Sequence, residues 1–359
     1  MVHVVVQQHP HPAPLRSAPV SYLALVPDFV RLERPIVQAP MAGGTSTPAL
    51  AAAVSDAGGA GFLAAGYKTT AAMREEIAAT RRLTSRPFGM NLFMPSSDDI
   101  DPGAVDAYRQ RLEPEAERLG VGLGVPSKRD DDYDAKVVAL LADPVAYASF
   151  TFGCPTPDVI RAFQDRGMTV IVTVTSADEA RAASAADALC VQGSEAGAHR
   201  GSFTNTLDDL LGVRELLRLV RAAVPLPLIA AGGLATSEDV AEVLSLGAIA
   251  AQVGTGFLRC PESGAGEVHK AALTDPRFTS TAMTRAFSGR PARGLVNRFL
   301  AEHSEFAPAA YPDVHYLTSP LRKAAAAQGD PDTVNLWAGE GFRQATDAPA
   351  AEIVAALTP

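Results

Sequence analysis

Residues 188–201, ALCVQGSEAGAHRG, combine reactive side chains and glycines in one short stretch. The apolar start, 188–191, has the length and composition of a buried strand. Glycines in the loop that follows let backbone approach a ligand closely, and functional side chains concentrate on such loops. His199 is the candidate catalytic residue, because an imidazole can take a proton from a carbon acid near neutral pH. We assign Glu195 and Arg200 to loop structure.

Two further glycine-rich segments have the composition of phosphate-binding loops. They read Ala-Gly-Gly-Leu at 231–234 and Gly-Thr-Gly at 254–256, each directly after an apolar run. Backbone N–H groups of glycine can approach phosphate oxygens, and a helix that starts nearby adds the positive end of its dipole. Either segment alone could be an ordinary turn, but the two together predict a phosphate site.

Polar side chains with amide groups end two other apolar runs, at Asn91 and Gln192. An amide donates and accepts hydrogen bonds at once, which suits the edge of a heteroaromatic ring or a ribityl chain. Capping of a loop explains either residue equally well. Both interpretations stay open at this point.

The elements that must position these residues follow a regular rhythm. From residue 35 to about 257, short apolar runs alternate with amphipathic stretches, which predicts β-α units and a parallel sheet. Eight such runs match a (β/α)8 barrel, whereas an open doubly wound sheet usually has fewer strands and a GxGxxG loop after the first. The first loop, Pro40-Met41-Ala42-Gly43-Gly44, lacks that fingerprint. The predicted strands are 36–39, 61–65, 88–93, 147–152, 169–174, 188–192, 227–231 and 249–254.

A barrel of this kind places its active site at the carboxyl ends of the strands, with phosphate between the loops after strands 7 and 8. The two glycine segments follow the seventh and eighth predicted strands. Outside the first 11 residues the chain has four histidines, His199, His269, His303 and His315, and only His199 follows a predicted barrel strand. Its position favours catalysis over a structural role.

The amino-acid composition limits the classes of ligand that this protein is expected to bind. The formal net charge of -9 argues against nucleic acid or an anionic membrane as the main ligand, so small molecules are expected. The three cysteines, Cys154, Cys190 and Cys260, show neither CxxC nor metal-ligand spacing, and we interpret them as reduced and mostly structural. No metal site is predicted. No apolar run approaches the roughly 20 residues of a membrane span, and the N-terminus lacks a secretory signal, so a cytoplasmic location is expected.

Four regions are predicted along the chain. Residues 1–30 form an N-terminal tail, and 31–257 form the barrel. Residues 258–330 lose the strand-helix alternation and gather Arg, Pro, Phe and Tyr, which suggests an inserted lid or small substrate domain. Residues 331–359 return to cover the barrel. A further helix or excursion is expected between 97 and 146.

Several blocks in this order resemble the nitronate monooxygenases, formerly called 2-nitropropane dioxygenases, and their class I branch in particular. They are PIVQAPMAGGTSTPALAAAVSDAGGAGFL, GMNLF, VQGSEAGAHRG, LPLIAAGGLATSEDV, AQVGTGFL and NLWAGEG, between about Arg34 and Gly341. The resemblance implies a (β/α)8 barrel with non-covalent FMN and a smaller substrate domain after the last strand. It also implies oxidation of alkyl nitronates, such as propionate 3-nitronate, by O2 to a carbonyl compound and nitrite through a flavin semiquinone.

The resemblance also assigns roles to residues. It implies His199 as the catalytic histidine and Tyr311, in the Ala-Tyr-Pro of the lid, as a wall of the substrate pocket. Two positions depart from the family pattern, since Ala198 stands where glycine is common and Glu340 where glutamine is usual. The implied FMN contacts are Met41, Ala42, Asn91, Gln192, Gly197, Gly232, Gly233, Gly254 and Thr255.

Two alternatives compete with this function. A related FMN barrel could reduce an enoyl thioester or a quinone with NAD(P)H, using the same phosphate loops. A flavin-binding protein without turnover would need no imidazole at a strand end. The sequence does not determine the physiological nitronate or the oligomeric state.

Overall fold

The computed structural model describes residues 32–95, 99–127, 130–208 and 210–359. The predicted tail, 1–30, lies outside these residues. Eight parallel strands form a sheet in the order β1-β9-β8-β6-β5-β4-β3-β2. A parallel bridge between Val37 and Ala60 links the first strand to the segment that enters the second, so the two edges meet. The predicted (β/α)8 barrel is confirmed. Its strands are β1 (Ile36–Gln38), β2 (Gly61–Ala64), β3 (Phe88–Phe93), β4 (Tyr147–Thr151), β5 (Thr169–Val174), β6 (Ala188–Gln192), β8 (Leu228–Ala231) and β9 (Ala250–Val253).

Each predicted strand lies within one residue of the observed one at both ends, and β3, β5 and β6 match at both. The strands are buried on both faces, as expected for a parallel sheet covered by helices. Inside the barrel, Phe62, Tyr147, Ile171 and Ile229 belong to one buried cluster. These side chains therefore fill the barrel interior.

Helices surround the barrel, and their ends follow the sequence signals. Thr47 caps the first helix by accepting from the backbone N–H of Leu50, with Pro48 at the first helical position. Thr236 and Asp239 form a reciprocal capping box at the start of α8. The helices are α1 (Pro48–Asp56), α2 (Thr70–Leu83), α3 (Pro102–Leu119), α4 (Tyr133–Ala142), α5 (Pro157–Gln164), α6 (Ala177–Ala182), α7 (Val213–Ala223), α8 (Ser237–Ser245), α9 (Glu267–Ala272), α10 (Arg298–His303), α11 (Asp313–Ala327) and α12 (Ala350–Leu357). None of the described helices is long and apolar enough to cross a membrane.

A second hydrophobic cluster lies outside the barrel core. It joins α3, from the predicted excursion, to α10 and α11 through buried side chains such as Leu112, Phe299 and Leu317. A three-stranded sheet belongs to the same region, with β11 between its two neighbours. The strands are β7 (Ala198–His199), β10 (Thr281–Thr284) and β11 (Ala292–Leu295). The loop after β6 is thus joined by backbone hydrogen bonds to the segment that follows the last barrel strand.

The three cysteines lie where a thiol packs as a small apolar group. Cys190 and Cys260 are buried, and Cys154 is partly buried. Burial raises the pKa of Cys190 to about 12 and that of Cys154 to about 11, so both are protonated at neutral pH. This supports their interpretation as structural residues.

Candidate active site

A cavity of about 840 Å³ opens at the carboxyl ends of the barrel strands. This volume falls within the roughly 300–1,000 Å³ typical of small-molecule and cofactor sites. All residues for which the sequence predicts a site role line it, except Tyr311: Met41, Ala42, Asn91, Gln192, Gly197, His199, Gly232, Gly233, Gly254 and Thr255. Tyr311 itself packs in a buried cluster with Phe93 and Phe152 behind that wall.

His199 is held by a short strand pairing and one side-chain hydrogen bond. In β7 it pairs with Ala292 of β11, which fixes the backbone on both sides of the residue. Its Nε2 lies 2.9 Å from the hydroxyl oxygen of Ser288. That hydroxyl also reaches the backbone carbonyl of Arg290, at 3.1 Å. The imidazole is thus fixed in place and has a partner that can either donate or accept.

Aromatic rings enclose the imidazole. The ring centroids of Phe152, Tyr311 and Trp337 lie 5.7, 5.7 and 5.6 Å from that of His199. The Tyr311 hydroxyl donates to the Tyr67 hydroxyl at 3.1 Å, and burial raises the pKa of Tyr67 to about 12. Both phenols are therefore neutral at physiological pH and available as hydrogen-bond donors or acceptors.

Burial lowers the pKa of His199 to about 3, and the positive charges of Arg290 and Arg322 contribute to the shift. A charged imidazolium would lose its hydration there, and it would face two guanidinium groups. His199 is consequently neutral at pH 7. An anionic ligand beside it would raise its pKa again.

The two glycine segments line the same cavity. Gly232 and Gly233 have φ values of +108° and +69°, which favour glycine and turn the backbone at the end of β8. The N–H groups of Gly232, Gly233 and Thr255 donate to no acceptor in the described chain, and α8 begins close by. Unpaired N–H groups beside a helix N-terminus form a suitable cradle for a phosphate.

The C-terminal segment closes this cradle from outside. Gly339 donates its N–H to Thr255 Oγ1 at 3.0 Å, and Glu340 donates its own to the carbonyl of Glu195 at 3.1 Å. A Cβ on Gly197 would lie 2.5 Å from the Gly339 nitrogen, so the two loops touch through backbone. Gly339 and Glu340 thus contact the loops that follow two barrel strands.

The structure gives the two amide residues different local contacts. Gln192 bridges its own loop, since Nε2 donates to the carbonyl of His199 at 3.1 Å and Oε1 accepts from Gly201 at 2.7 Å. Asn91 donates to the hydroxyls of Ser149 and Thr151 at 2.9 and 3.1 Å. Both side chains also line the cavity. Loop capping by Gln192 therefore coexists with a position beside a ligand.

Several residues that line the cavity have a strained backbone conformation. Among the described residues, five non-glycines have positive φ, and three of them, Tyr67, Phe152 and Ala198, line the cavity. Such conformations cost of order 1–3 kcal/mol each and cluster at functional sites. The φ of Ala198 is 62°, a conformation that glycine adopts without this cost.

Several pocket residues were not predicted from the sequence. Tyr67 stacks on His315 with ring centroids 4.0 Å apart, and Arg322 contacts the same histidine. Ser288 comes from the segment between β10 and β11. The spacing of His315 and Arg322 in α11 was the available signal, because residues seven apart share a helical face. Glu195, assigned to loop structure, accepts from the Val213 N–H at the start of α7 at 3.0 Å.

Comparisons with known proteins agree with this architecture. Residues 28–359 match the family model described as nitronate monooxygenase. A probable nitronate monooxygenase from Staphylococcus aureus (strain MSSA476) is 38% identical over 333 residues, covering 91% of this chain and 94% of the relative. The crystal structure of a nitroalkane oxidase from Streptomyces ansochromogenes is 53% identical, with a TM-score of 0.89 over 92% of this chain and 96% of that one. FabK from Thermotoga maritima is 26% identical, with a TM-score of 0.71 over 92% and 93% of the two chains.

Proposed function

We propose that this chain oxidises alkyl nitronates with O2 to a carbonyl compound and nitrite. The chain belongs to the nitronate monooxygenase family, and it is an oxidoreductase. Propionate 3-nitronate is the substrate to test first. The observation that carries the proposal is the position of His199, a neutral imidazole enclosed by aromatic rings in a cavity that two glycine loops also line. The similarity to a nitroalkane oxidase supports the same substrate class.

FMN is the cofactor that we propose, and the cavity offers groups that fit it. When bound, FMN supplies the electron acceptor for the nitronate and the electron donor for O2. The N–H groups of the two glycine loops suit its phosphate, and the amide and apolar groups around the remaining cavity suit a ribityl chain and a flat ring. The proposed contacts are Met41, Ala42, Asn91, Gln192, Gly197, Gly232, Gly233, Gly254 and Thr255.

Ser288 gives His199 two ways to act on a substrate. When the Ser288 hydroxyl donates to the Arg290 carbonyl, it accepts from His199 Nε2–H, and Nδ1 keeps a lone pair that can take a proton. When the hydroxyl donates to Nε2, Nδ1 carries the hydrogen and can donate to a nitronate oxygen. The choice of tautomer thus separates a base from a hydrogen-bond donor.

The low pKa of His199 favours the second role. A general base works best when its pKa is near the operating pH, and a value of about 3 makes a weak base for a neutral nitroalkane. We propose that His199 binds and orients a nitronate that arrives already ionised. Neutral nitroalkanes should therefore be much poorer substrates than their nitronates at pH 7.

We further propose that residues 258–330 form the substrate domain. This segment supplies Ser288, Tyr311 and His315 to one side of the cavity. The barrel supplies the glycine loops that line the same cavity. The boundaries of this domain, after residue 257 and after residue 330, are part of what we propose.

Oxygen uptake with propionate 3-nitronate tests the function. We expect turnover by the wild-type enzyme loaded with FMN, and a loss of about 100-fold or more in His199→Asn with FMN still bound. His303→Gln is the matched control, because this histidine is in α10, away from the cavity lining, with its Nε2 3.5 Å from Glu115 Oε1, and the variant should retain activity. A protein that binds no FMN, or a His199→Asn variant as active as wild type, would refute the proposal.

Anaerobic mixing of the enzyme with each candidate reductant distinguishes nitronate oxidation from the alternative NAD(P)H-dependent reductase activity. Bleaching of bound flavin by propionate 3-nitronate supports nitronate oxidation. Rapid bleaching by NAD(P)H, with no effect of the nitronate, would assign the chain to the reductases instead.

A further inference from the structure

Arg322 is a cation in the cavity wall without an acidic partner. None of the described carboxylates forms an ion pair with it. Its guanidinium donates to the Thr318 hydroxyl at 3.2 Å, to Asn335 Oδ1 at 3.3 Å, and to the carbonyl oxygen and Nδ1 of His315 at 2.9 and 3.3 Å. These four acceptors leave one of its five N–H groups unused among the described residues. Among the described residues, the Arg322 guanidinium is thus held in place by neutral hydrogen-bond acceptors alone.

The Arg322 guanidinium stays charged at physiological pH even though the side chain is largely removed from water. Burial lowers the pKa of Arg322 to about 10, which still leaves the guanidinium protonated at pH 7. Taking an arginine out of water without an anion is costly, and proteins usually place such a group where a ligand supplies the missing charge. Arg322 remains accessible only in part, and it lines the cavity.

Arg322 contacts His315, and both line the same cavity as His199. It is close enough to His199 to lower the pKa of that residue by charge repulsion. His315 lies between Arg322 and Tyr67, whose ring stacks on it. Of the described residues around the cavity, Glu267 alone carries a carboxylate. An anion bound beside Arg322 would thus find a complementary charge and little opposing charge.

We propose that Arg322 binds a second anionic group on the substrate, a carboxylate at the far end of a short nitronate. This inference rests on the proposed function and adds a determinant of specificity to it. His199 would orient the nitronate end, and Arg322 would donate its free N–H to the carboxylate end and attract it by charge. Nitronates of short nitro acids are then preferred over uncharged nitronates of the same length.

The test compares two substrates in two variants. Arg322→Gln removes the charge, and Arg166→Gln is the control, an exposed arginine in the turn before β5 at the opposite edge of the barrel. In Arg322→Gln we expect kcat/KM for propionate 3-nitronate to fall about 10- to 100-fold, mainly through KM, the range expected for losing a hydrogen bond to a charged group. The value for propyl-1-nitronate should change by less than about threefold, as should both values in Arg166→Gln. Arg322→Lys should recover part of the loss.

The outcomes separate the two proposals. A wild-type enzyme that oxidises neither nitronate refutes the proposed function. A wild-type enzyme that oxidises both, with Arg322→Gln lowering both equally or lowering FMN content instead, refutes the carboxylate site alone. If Arg322→Gln does not fold, wild-type enzyme still decides: butyrate should compete with propyl-1-nitronate and butyramide should not, and equal inhibition by the two overturns the inference.

Discussion

Ala198 offers a test of backbone strain next to the proposed catalytic residue. Its φ of 62° lies in the left-handed region, which costs an L-residue roughly 1–2 kcal/mol. Glycine adopts this conformation freely, but it loses roughly 0.5–1 kcal/mol more through its larger conformational freedom in the unfolded chain. The difference predicts that Ala198→Gly raises the free energy of unfolding by about 0.5–1 kcal/mol.

Ala196 is the matched control, two residues earlier in the same loop and outside the left-handed region. Ala196→Gly gains nothing from relief of strain, so it should lower the free energy of unfolding by about 0.5–1 kcal/mol. Urea denaturation at pH 7.5, with the same FMN concentration in each sample, measures both changes against wild type. The two substitutions are expected to have opposite signs.

The reasoning fails if both substitutions destabilise the protein to the same extent. In that case the Ala198 methyl group would contribute packing that outweighs the strain. Activity gives a second readout, because β7 pairing with β11 fixes His199 irrespective of residue 198. Ala198→Gly should therefore retain kcat/KM for propionate 3-nitronate within about threefold.

Three further predictions concern the same site. The folded-state pKa of His199 is about 3 and its ordinary value is 6.5, so the unfolded chain binds a proton first as pH falls from 6.5 toward 3 and stability declines over that window. His199→Asn should therefore lose about 2 kcal/mol less than wild type between pH 7 and pH 5 in urea denaturation; equal losses would contradict the low pKa. Ser288→Ala removes the partner of His199 Nε2, 2.9 Å away, and should lower kcat/KM for the nitronate about 10-fold or more with unchanged FMN content; full activity would exclude a positioning role. Glu340→Gln removes an ion pair of 3.2 Å with Arg293, and because Glu340 is half exposed, thermal unfolding should register a change below about 1 kcal/mol.

The order of elements along the chain could be predicted because each strand carries its own signal. Apolar runs such as 169–174 are buried on both sides in the barrel, so hydrophobicity alone marks them, and glycine or a helix cap marks where each ends. Local signals also mark the helix starts at Thr47 and Thr236, whose side chains cap α1 and α8. The topology then required no further information, since eight alternating units have one common closed arrangement.

The sequence alone also identified the part of the site that follows barrel strands. His199, Asn91 and the two glycine loops come directly after strands, and the carboxyl ends of parallel strands meet at one edge. The resemblance to nitronate monooxygenases added Tyr311 and Gly197. These positions could be predicted because their place in the fold follows from their place in the chain.

Only the tertiary structure decided the rest of the pocket. Ser288, His315 and Arg322 come from segments about 90 to 120 residues beyond His199, and no local pattern indicates that β11 pairs with β7 to bring them there. The pKa of His199 is likewise a property of the enclosed site, because desolvation and two distant guanidinium groups set it. The sequence determined which groups can react, and packing between distant segments determined their charge state and the residues that face them.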